Sequence, residues 1–210
     1  MFLEGGLILR DSDVFLREEA RSLVASLYAQ LSSSKPSPEK VYEELCEDDY
    51  DFPERSKTLV VVHESEGNRV IAGTVRLVLG VDKNLGGLPP LEAMRLIDAN
   101  WPHRENGIPD SMAGELGRFA IAPEFRDDKL RITRMLFDQS WRVAEGLGIQ
   151  FLYAIMPHYV ANLVGQVGIK IKEVEGFRLR DEDPQARELF QKYDLYWLNS
   201  NPRLYQFITE

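Results

Sequence analysis

The sequence predicts an α/β (α+β) fold, a mixed sheet with helices on its faces. Three observations carry that prediction. Two stretches rich in β-branched residues, Thr58 to Val62 and Val70 to Leu79, flank the turn Ser65-Glu66-Gly67-Asn68 and read as an antiparallel hairpin. The run from Gln150 to Met156 is apolar nearly throughout and of strand length, as expected of an inner strand covered on both faces. Segments with apolar residues at helical spacing precede, separate and follow these strands, so the order is helices, hairpin, strand, helix, strand, helix, strands.

The 210 residues, 44% of them hydrophobic, can bury one sizeable core, and residues 1–210 are read as a single soluble domain. With 25 Lys+Arg against 34 Asp+Glu, the net charge of -9 argues against general affinity for nucleic acid. The single cysteine, Cys46, forms no internal disulfide and no cysteine metal cluster, which fits a reducing compartment. His63, His103 and His158 are scattered without ligand spacing, so no metal site is expected. The first ten residues carry Glu4 before any basic residue and only a broken apolar run, unlike a secretory signal. No segment approaches the roughly 20 apolar residues that span a bilayer. A cytoplasmic protein with no transmembrane segment is the expectation.

In chain order, Asp13 can cap a helix whose apolar positions Leu16, Ala20, Leu23, Val24, Leu27 and Leu31 recur at helical spacing. The run Ser32-Ser33-Ser34 ends it. Ser37-Pro38 supplies an N-cap and a first-turn proline for a short helix through about Leu45, followed by the acidic turn Glu47-Asp48-Asp49-Tyr50-Asp51. In the second hairpin strand Val70, Ala72, Thr74, Arg76 and Val78 are expected to share a face, which plants the long cation of Arg76 among small and apolar neighbours. Arg76 either snorkels to water from an edge strand or neutralises the carboxylates of Asp48, Asp51 or Glu115. Residues 80 to 113, with Gly86-Gly87, Pro89-Pro90, Pro102 and Pro109, are irregular apart from a short helix through Leu91, Met94, Arg95 and Ile97, and suit a wall or lid over a site.

The segment Gly114-Glu115-Leu116-Gly117-Arg118-Phe119-Ala120-Ile121-Ala122 organises the rest: a buried strand, then a charged turn, then a helix from about Leu130 to Leu147. Unpaired charge in such a strand is expensive, so Glu115 and Arg118 need partners, a substrate or water. Alternation would point them to opposite faces. Bringing both into one site requires a bulge, and Gly117 is where it is cheapest; a partly exposed ion pair at a strand end is the plainer alternative. After the Gln150 to Met156 strand come a helix from Tyr159 to Val167, a strand from Ile169 to Val174, a helix from Pro184 to Tyr193 capped by Asp183, and a strand from Leu195 to Asn199.

Three pieces in order, Asp48-Asp49-Tyr50-Asp51, Ala72-Gly73-Thr74-Val75-Arg76-Leu77 and Glu115-Leu116-Gly117-Arg118-Phe119, resemble the acyl-homoserine-lactone (autoinducer) synthases of quorum sensing. The likeness extends to their relatives, the exosortase-associated acyltransferases and the long-chain N-acyl amino acid synthases. It covers roughly residues 20 to 170. The resemblance implies the Gcn5-related N-acetyltransferase (GNAT) fold: a mostly antiparallel mixed sheet, splayed at a bulge in its fourth strand, with helices on both faces. It also implies attack of a substrate amine on the thioester of an acyl carrier protein, with no bound cofactor. By motif position, Asp48, Asp51, Arg76, Glu115 and Arg118 then line the amine side, followed by Phe119. Glu115 accepts a proton from the amine, Arg76 and Arg118 hold the acids, and peptide N–H groups from Phe119 through Ala120 to Ile121 stabilise the oxyanion. Tyr159 is either the acid for the departing thiolate or a tyrosine packed on the sheet.

Two departures refine the implied substrates. Acetyl-CoA users of this fold follow the central strand with a glycine-bearing turn that cradles pyrophosphate, whereas here Arg126-Asp127-Asp128-Lys129-Leu130-Arg131 puts long cations at both glycine positions and two carboxylates beside them. That turn suits a carrier protein, whose single phosphodiester and acidic helix could meet Arg126, Lys129, Arg131, Arg134 and Arg142. Autoinducer synthases hold S-adenosylmethionine with an Arg, a Phe and a Trp where this chain carries Val24, Tyr28 and Ser34, so the acceptor is open between S-adenosylmethionine and another small amine. A coenzyme A-dependent transferase and a catalytically silent binding protein are the competing readings.

Overall fold

The computed structural model describes residues 6–11, 14–31, 35–51, 55–65, 67–82, 91–180, 182, 184 and 202–208, with the side chains of 6–11, 14, 47–51 and 92 left aside. Seven strands form one sheet in the order β1 (Gly6–Asp11), β2 (Ser56–Ser65), β3 (Asn68–Leu79), β5 (Ala113–Ile121), β6 (Phe151–Met156), β9 (Arg203–Phe207), β7 (Ile171–Glu173). All neighbours are antiparallel except β5 and β6, which run parallel. A two-stranded ribbon, β4 (Ile97–Asp98) with β8 (Arg178–Leu179), lies apart from it. The mixed, mostly antiparallel sheet with helices on both faces is therefore the fold that the sequence predicts.

One face is covered by α4 (Lys129–Gly146), whose Ile132, Leu136 and Phe137 pack on Val61, Val75, Leu77, Leu116 and Leu152. This is also the reason for Gly73. A Cβ there would stand 2.6 Å from Ile132 Cγ2, so the helix can seat on β3 only over a bare backbone. The other face carries α1 (Val14–Leu31) with Leu16 and Ala20 on Val60, Val62 and Ile71, then α1 and α2 (Pro38–Asp51) together over Ala120. Further along the same face, residues 91–112 lay Leu91, Met94, Ile97 and Trp101 over Ala113, Tyr153, Ile155 and Leu204. That stretch contains α3 (Pro102–Glu105) and two 3₁₀ turns, Glu92–Arg95 and Asp110–Met112. Each large apolar side chain so buried contributes about 1.5–3 kcal/mol. Between β6 and β7 runs α5 (His158–Gln166). No helix among the described residues is long and apolar enough to cross a membrane, and no group of three or more His, Cys, Asp or Glu among them could hold a metal ion.

Three expectations change. The acidic turn after Leu45 is instead helix: α2 continues to Asp51, because nothing before Pro53 interrupts it. Its start is as expected, with the Ser37 hydroxyl accepting the Lys40 N–H at 3.2 Å. In β3 the register slips between Val61↔Gly73 and Val62↔Ile71, so Ala72 is an extra residue and alternation reverses there. Thr74 and Arg76 face α1, whereas Ala72 packs on the α4 side, and the shared face expected from Val70 to Val78 breaks in two. Finally, β1 and β9 are strands that the periodicity did not signal, and β9 inserts between β6 and β7. The helix expected from Pro184 to Tyr193 with its cap Asp183, and the strand from Leu195 to Asn199, lie outside the described residues apart from Pro184.

Candidate active site

Strand β5 pairs with β3 along nearly its whole length, but with β6 only from Ala113↔Phe151 to Leu116↔Ala154. Beyond that pair β5 runs on to Ile121 and β6 to Met156 without meeting, and a cleft of about 500 Å³ opens between them. The cause is a bulge in β5. Register steps from Arg76↔Gly117 to Thr74↔Ala120, so Arg118 and Phe119 together oppose Val75. The sequence placed this bulge on Gly117. The structure puts it one residue later, where Arg118 takes a φ of 53°, a left-handed value that costs a non-glycine residue energy. The strain is held by packing and by the guanidinium, whose Nη2 donates to the Leu45 carbonyl of α2 at 3.1 Å.

Strand register also settles which charges share a face. Val78 opposes Glu115 and Arg76 opposes Gly117, so Glu115 and Arg76 project from one side of the sheet, toward α1 and residues 91–112. Both are buried, Arg76 at 2% exposure and Glu115 at 7%. A carboxylate this deep needs donors, and Glu115 Oε2 accepts the Ala93 N–H at 2.7 Å. Arg76 and Arg118 line a narrow recess with Arg17 and Arg21 of α1, so Arg76 is no snorkelling edge residue. Arg21 also reaches the Tyr42 hydroxyl at 3.3 Å. Asp48 and Asp51 ride on the last turns of α2, and their side chains lie outside the described residues.

The cleft itself passes through the sheet. Leu27, Tyr28 and Leu31 of α1 line it on one side, Phe119, Phe137 and Leu163 on the other, with Ala120 and Ile121 along the β5 edge. Phe119 and Phe137 meet with ring centroids 5.3 Å apart, making an aromatic wall at the inner end. Arg126, Lys129 and Tyr159 stand at the cleft, all exposed. Arg131, Arg134 and Arg142 do not line it: they are exposed on α4, and Arg134 pairs with Asp138 at 3.5 Å. The five-cation cluster read from sequence therefore splits, because helical phase turns Lys129 toward the sheet side and the later three arginines away. Leading into α4 is a 3₁₀ turn, Pro123–Asp128, rather than a glycine loop.

Sequence reasoning expected a wall or lid from residues 80 to 113 but passed over the polar network within it. His103, fully buried, contacts the Tyr153 hydroxyl at 2.9 Å through Nδ1 and the Asp110 carboxylate at 2.7 Å through Nε2, while Arg104 holds Asp110 with two bonds of 2.8 Å. A carboxylate only accepts, so Nε2 carries the proton and Nδ1 accepts from Tyr153, whose oxygen takes the His103 backbone N–H at 3.2 Å. Every group is satisfied with a neutral imidazole. Burial pushes the His103 pKa down against the pull of Asp110, Arg104 holds the Asp110 carboxyl below its usual range, and burial pushes the Tyr153 phenol up. Tyr153 is the register partner of Glu115 on β6. The signal available in sequence was His103 and Asp110 seven apart around a glycine and a proline, which carries no known spacing.

No protein-family model matches the chain, and none of the curated proteins does. Several solved structures do. A GNAT-family acetyltransferase from Staphylococcus aureus Mu50 is 12% identical, with 96% of this chain and 98% of that one covered and a TM-score of 0.54. An acetyltransferase from Streptococcus agalactiae is 12% identical over 97% and 99%, TM-score 0.53. FeeM, an N-acyl amino acid synthase from uncultured soil microbes, is 15% identical over 83% and 88%, TM-score 0.51. At these identities the likeness is one of architecture, and with the parallel pair parted beyond Leu116 and Ala154 it establishes that this chain has the GNAT fold.

Proposed function

We propose that the protein is an N-acyltransferase that moves a fatty acyl group from the thioester of an acyl carrier protein to the amino group of a small, amino-acid-like acceptor. The observation that carries the reading is the cleft through the sheet, largely apolar, with Arg126 and Lys129 at its rim, the half-buried Arg118 in its wall, and the buried Glu115 and Arg76 beside it on the α1 face. The acyl chain lies between β5 and β6. The carrier's single phosphodiester meets Arg126 and Lys129, and the neighbouring cations Arg131, Arg134 and Arg142 extend the basic surface toward its acidic helix.

An acceptor amine arrives protonated, and Glu115 takes that proton through a water. The freed nitrogen attacks the thioester carbonyl. Negative charge develops on the oxygen and is met by peptide N–H groups of β5 between Phe119 and Ile121, where the strand has no β6 neighbour. As the carbon–sulfur bond breaks, the nitrogen releases its second proton to water to leave a neutral amide, and Tyr159 protonates the departing thiolate and recovers its proton from solvent. Asp48 and Asp51 at the end of α2 complete the acceptor side. No bound cofactor or metal takes part.

The acceptor class and the donor are fixed by one set of measurements. The protein is mixed with acyl-carrier-protein thioesters or with acyl-CoA, and free thiol is followed with and without an amine pool extracted from cells. Amine-dependent thiol release from the carrier thioester supports the proposal, and Glu115→Gln lowers it by about a hundredfold or more. Release from acyl-CoA alone favours a coenzyme A-dependent transferase, a reading supported by the two cations at the cleft mouth, which can also meet a pyrophosphate. Mass spectrometry of lipid extracts from cells producing the wild-type chain or Glu115→Gln names the product.

A further inference from the structure

Among the described residues from β2 onward, the glycines of the sheet and its turns have identifiable reasons, with one exception. Gly67, Gly107, Gly148, Gly168 and Gly176 adopt positive φ. Gly73, Gly80 and Gly114 sit where a Cβ would press on neighbours, Ile132 and the Asp110 carbonyl among them. Gly117 belongs to neither group: its φ is not positive, and, its chain neighbours Leu116 and Arg118 aside, no heavy atom of the described residues lies within 4 Å of the place its Cβ would occupy. Gly146 and Gly165 share that freedom, but on exposed helix faces. Gly117 is in an inner strand, opposite Arg76 and two residues after buried Glu115, so its bare side points with theirs toward α1, and it also lines the cleft. Glycine in a strand interior is otherwise a disadvantage, since it packs nothing and orders the most backbone.

Resting on the acyl-transfer reading above, we propose that the open space over Gly117 is the passage through which the acceptor amine, entering from the α1 face, reaches the thioester held between β5 and β6. The residue is there for the room it leaves. The acceptor is accordingly an amine that presents its nitrogen past Gly117, with Arg76 opposite on β3 and Arg118 next along β5. Because Gly117 also lines the cleft, a side chain there narrows both sides, and acceptor entry is marked by the amine being affected more than the thioester.

The test uses the full chain with Gly117→Ala and Gly117→Val, measuring urea denaturation and initial rates of thiol release over separate ranges of amine and carrier thioester. Both variants are expected to be at least as stable as wild type. Their KM for the amine rises and their kcat/KM for it falls, by about tenfold or more for valine and less for alanine, while KM for the thioester changes by less than KM for the amine. A valine variant that folds and keeps wild-type amine kinetics overturns the inference while leaving the acyl-transfer reading in place. A less stable alanine variant would show that Gly117 is needed for packing, which also overturns it. If the wild-type chain releases no thiol from any thioester, the reading of the site falls, and the passage with it.

Discussion

Arg118 combines two roles that pull against each other. Its backbone sits at a φ of 53°, and its side chain ties β5 to the α2 carbonyl of Leu45. Substitution separates them. Arg118→Ala and Arg118→Gly both lose the guanidinium, but only alanine retains the left-handed penalty, so the glycine variant should be the more stable by about 1 kcal/mol despite its freer unfolded chain. For a chain of this size that is a difference of about 2–4 °C in melting temperature. Equal melting points would mean that the bulge relaxes once the arginine is gone. The geometry also explains how Glu115 and Arg118, which alternation sets on opposite faces, come into one layer: the extra residue turns the strand between them.

Among elements, the wall formed by residues 91–112 holds Glu115 from above through the Ala93 N–H, and is itself pinned to β6 by His103 and Tyr153. That anchor makes stability pH-dependent. The folded His103 has a pKa below its ordinary value of about 6.5, so as pH falls the unfolded chain takes up the proton first and stability is lost from about 6.5 downward. Asp110, also lowered, contributes above its ordinary value of about 3.8 and loses that contribution as pH drops through its folded pKa. Urea midpoints measured at pH 7.5 and 5.5 should therefore fall for wild type. His103→Gln should start lower and fall less, and a variant as pH-sensitive as wild type would show that another group controls this range. The other principal seam, α4 on β3, depends on Gly73. Gly73→Ala should destabilise by about 1–3 kcal/mol, read by the same denaturation, since its methyl meets Ile132 and the Ala120 carbonyl.

For the whole molecule, charge and cleft are arranged in opposition. If the donor is a carrier protein, as proposed, the net charge of -9 opposes its approach at a distance, whereas Arg126 and Lys129 at the cleft offer its phosphodiester an attraction close in. Screening acts on both, but the nearer attraction is the stronger, so the rate with carrier thioester should fall as salt is raised. Reversing Arg126 and Lys129 to glutamate leaves only repulsion, and the variant's rate should instead rise with salt. A short uncharged pantetheine thioester should respond to neither change. Salt-independent rates for wild type with the carrier protein would remove the electrostatic basis for that donor.

The sequence by itself determined which elements exist along much of the chain and what the inner strands carry. Hairpin, central strand, α4 and the apolar β6 run are written in side-chain periodicity, a property of a few consecutive residues set by backbone geometry alone. It also marked Arg76, Glu115 and Arg118 as charges that need partners, a substrate or water. Only the tertiary structure decided their relative placement. The bulge falls on Arg118 rather than Gly117, since α2 supplies the carbonyl that holds the strained residue; alternation reverses at Ala72, since β2 sets the register; and β9 comes between β6 and β7 from residues 203–207. The cation cluster divides for the same kind of reason, as the packing of Ile132 and Leu136 on the sheet fixes which way α4 is turned. Register, helix phase and strand order are energies of contact between distant segments, and no local pattern encodes them.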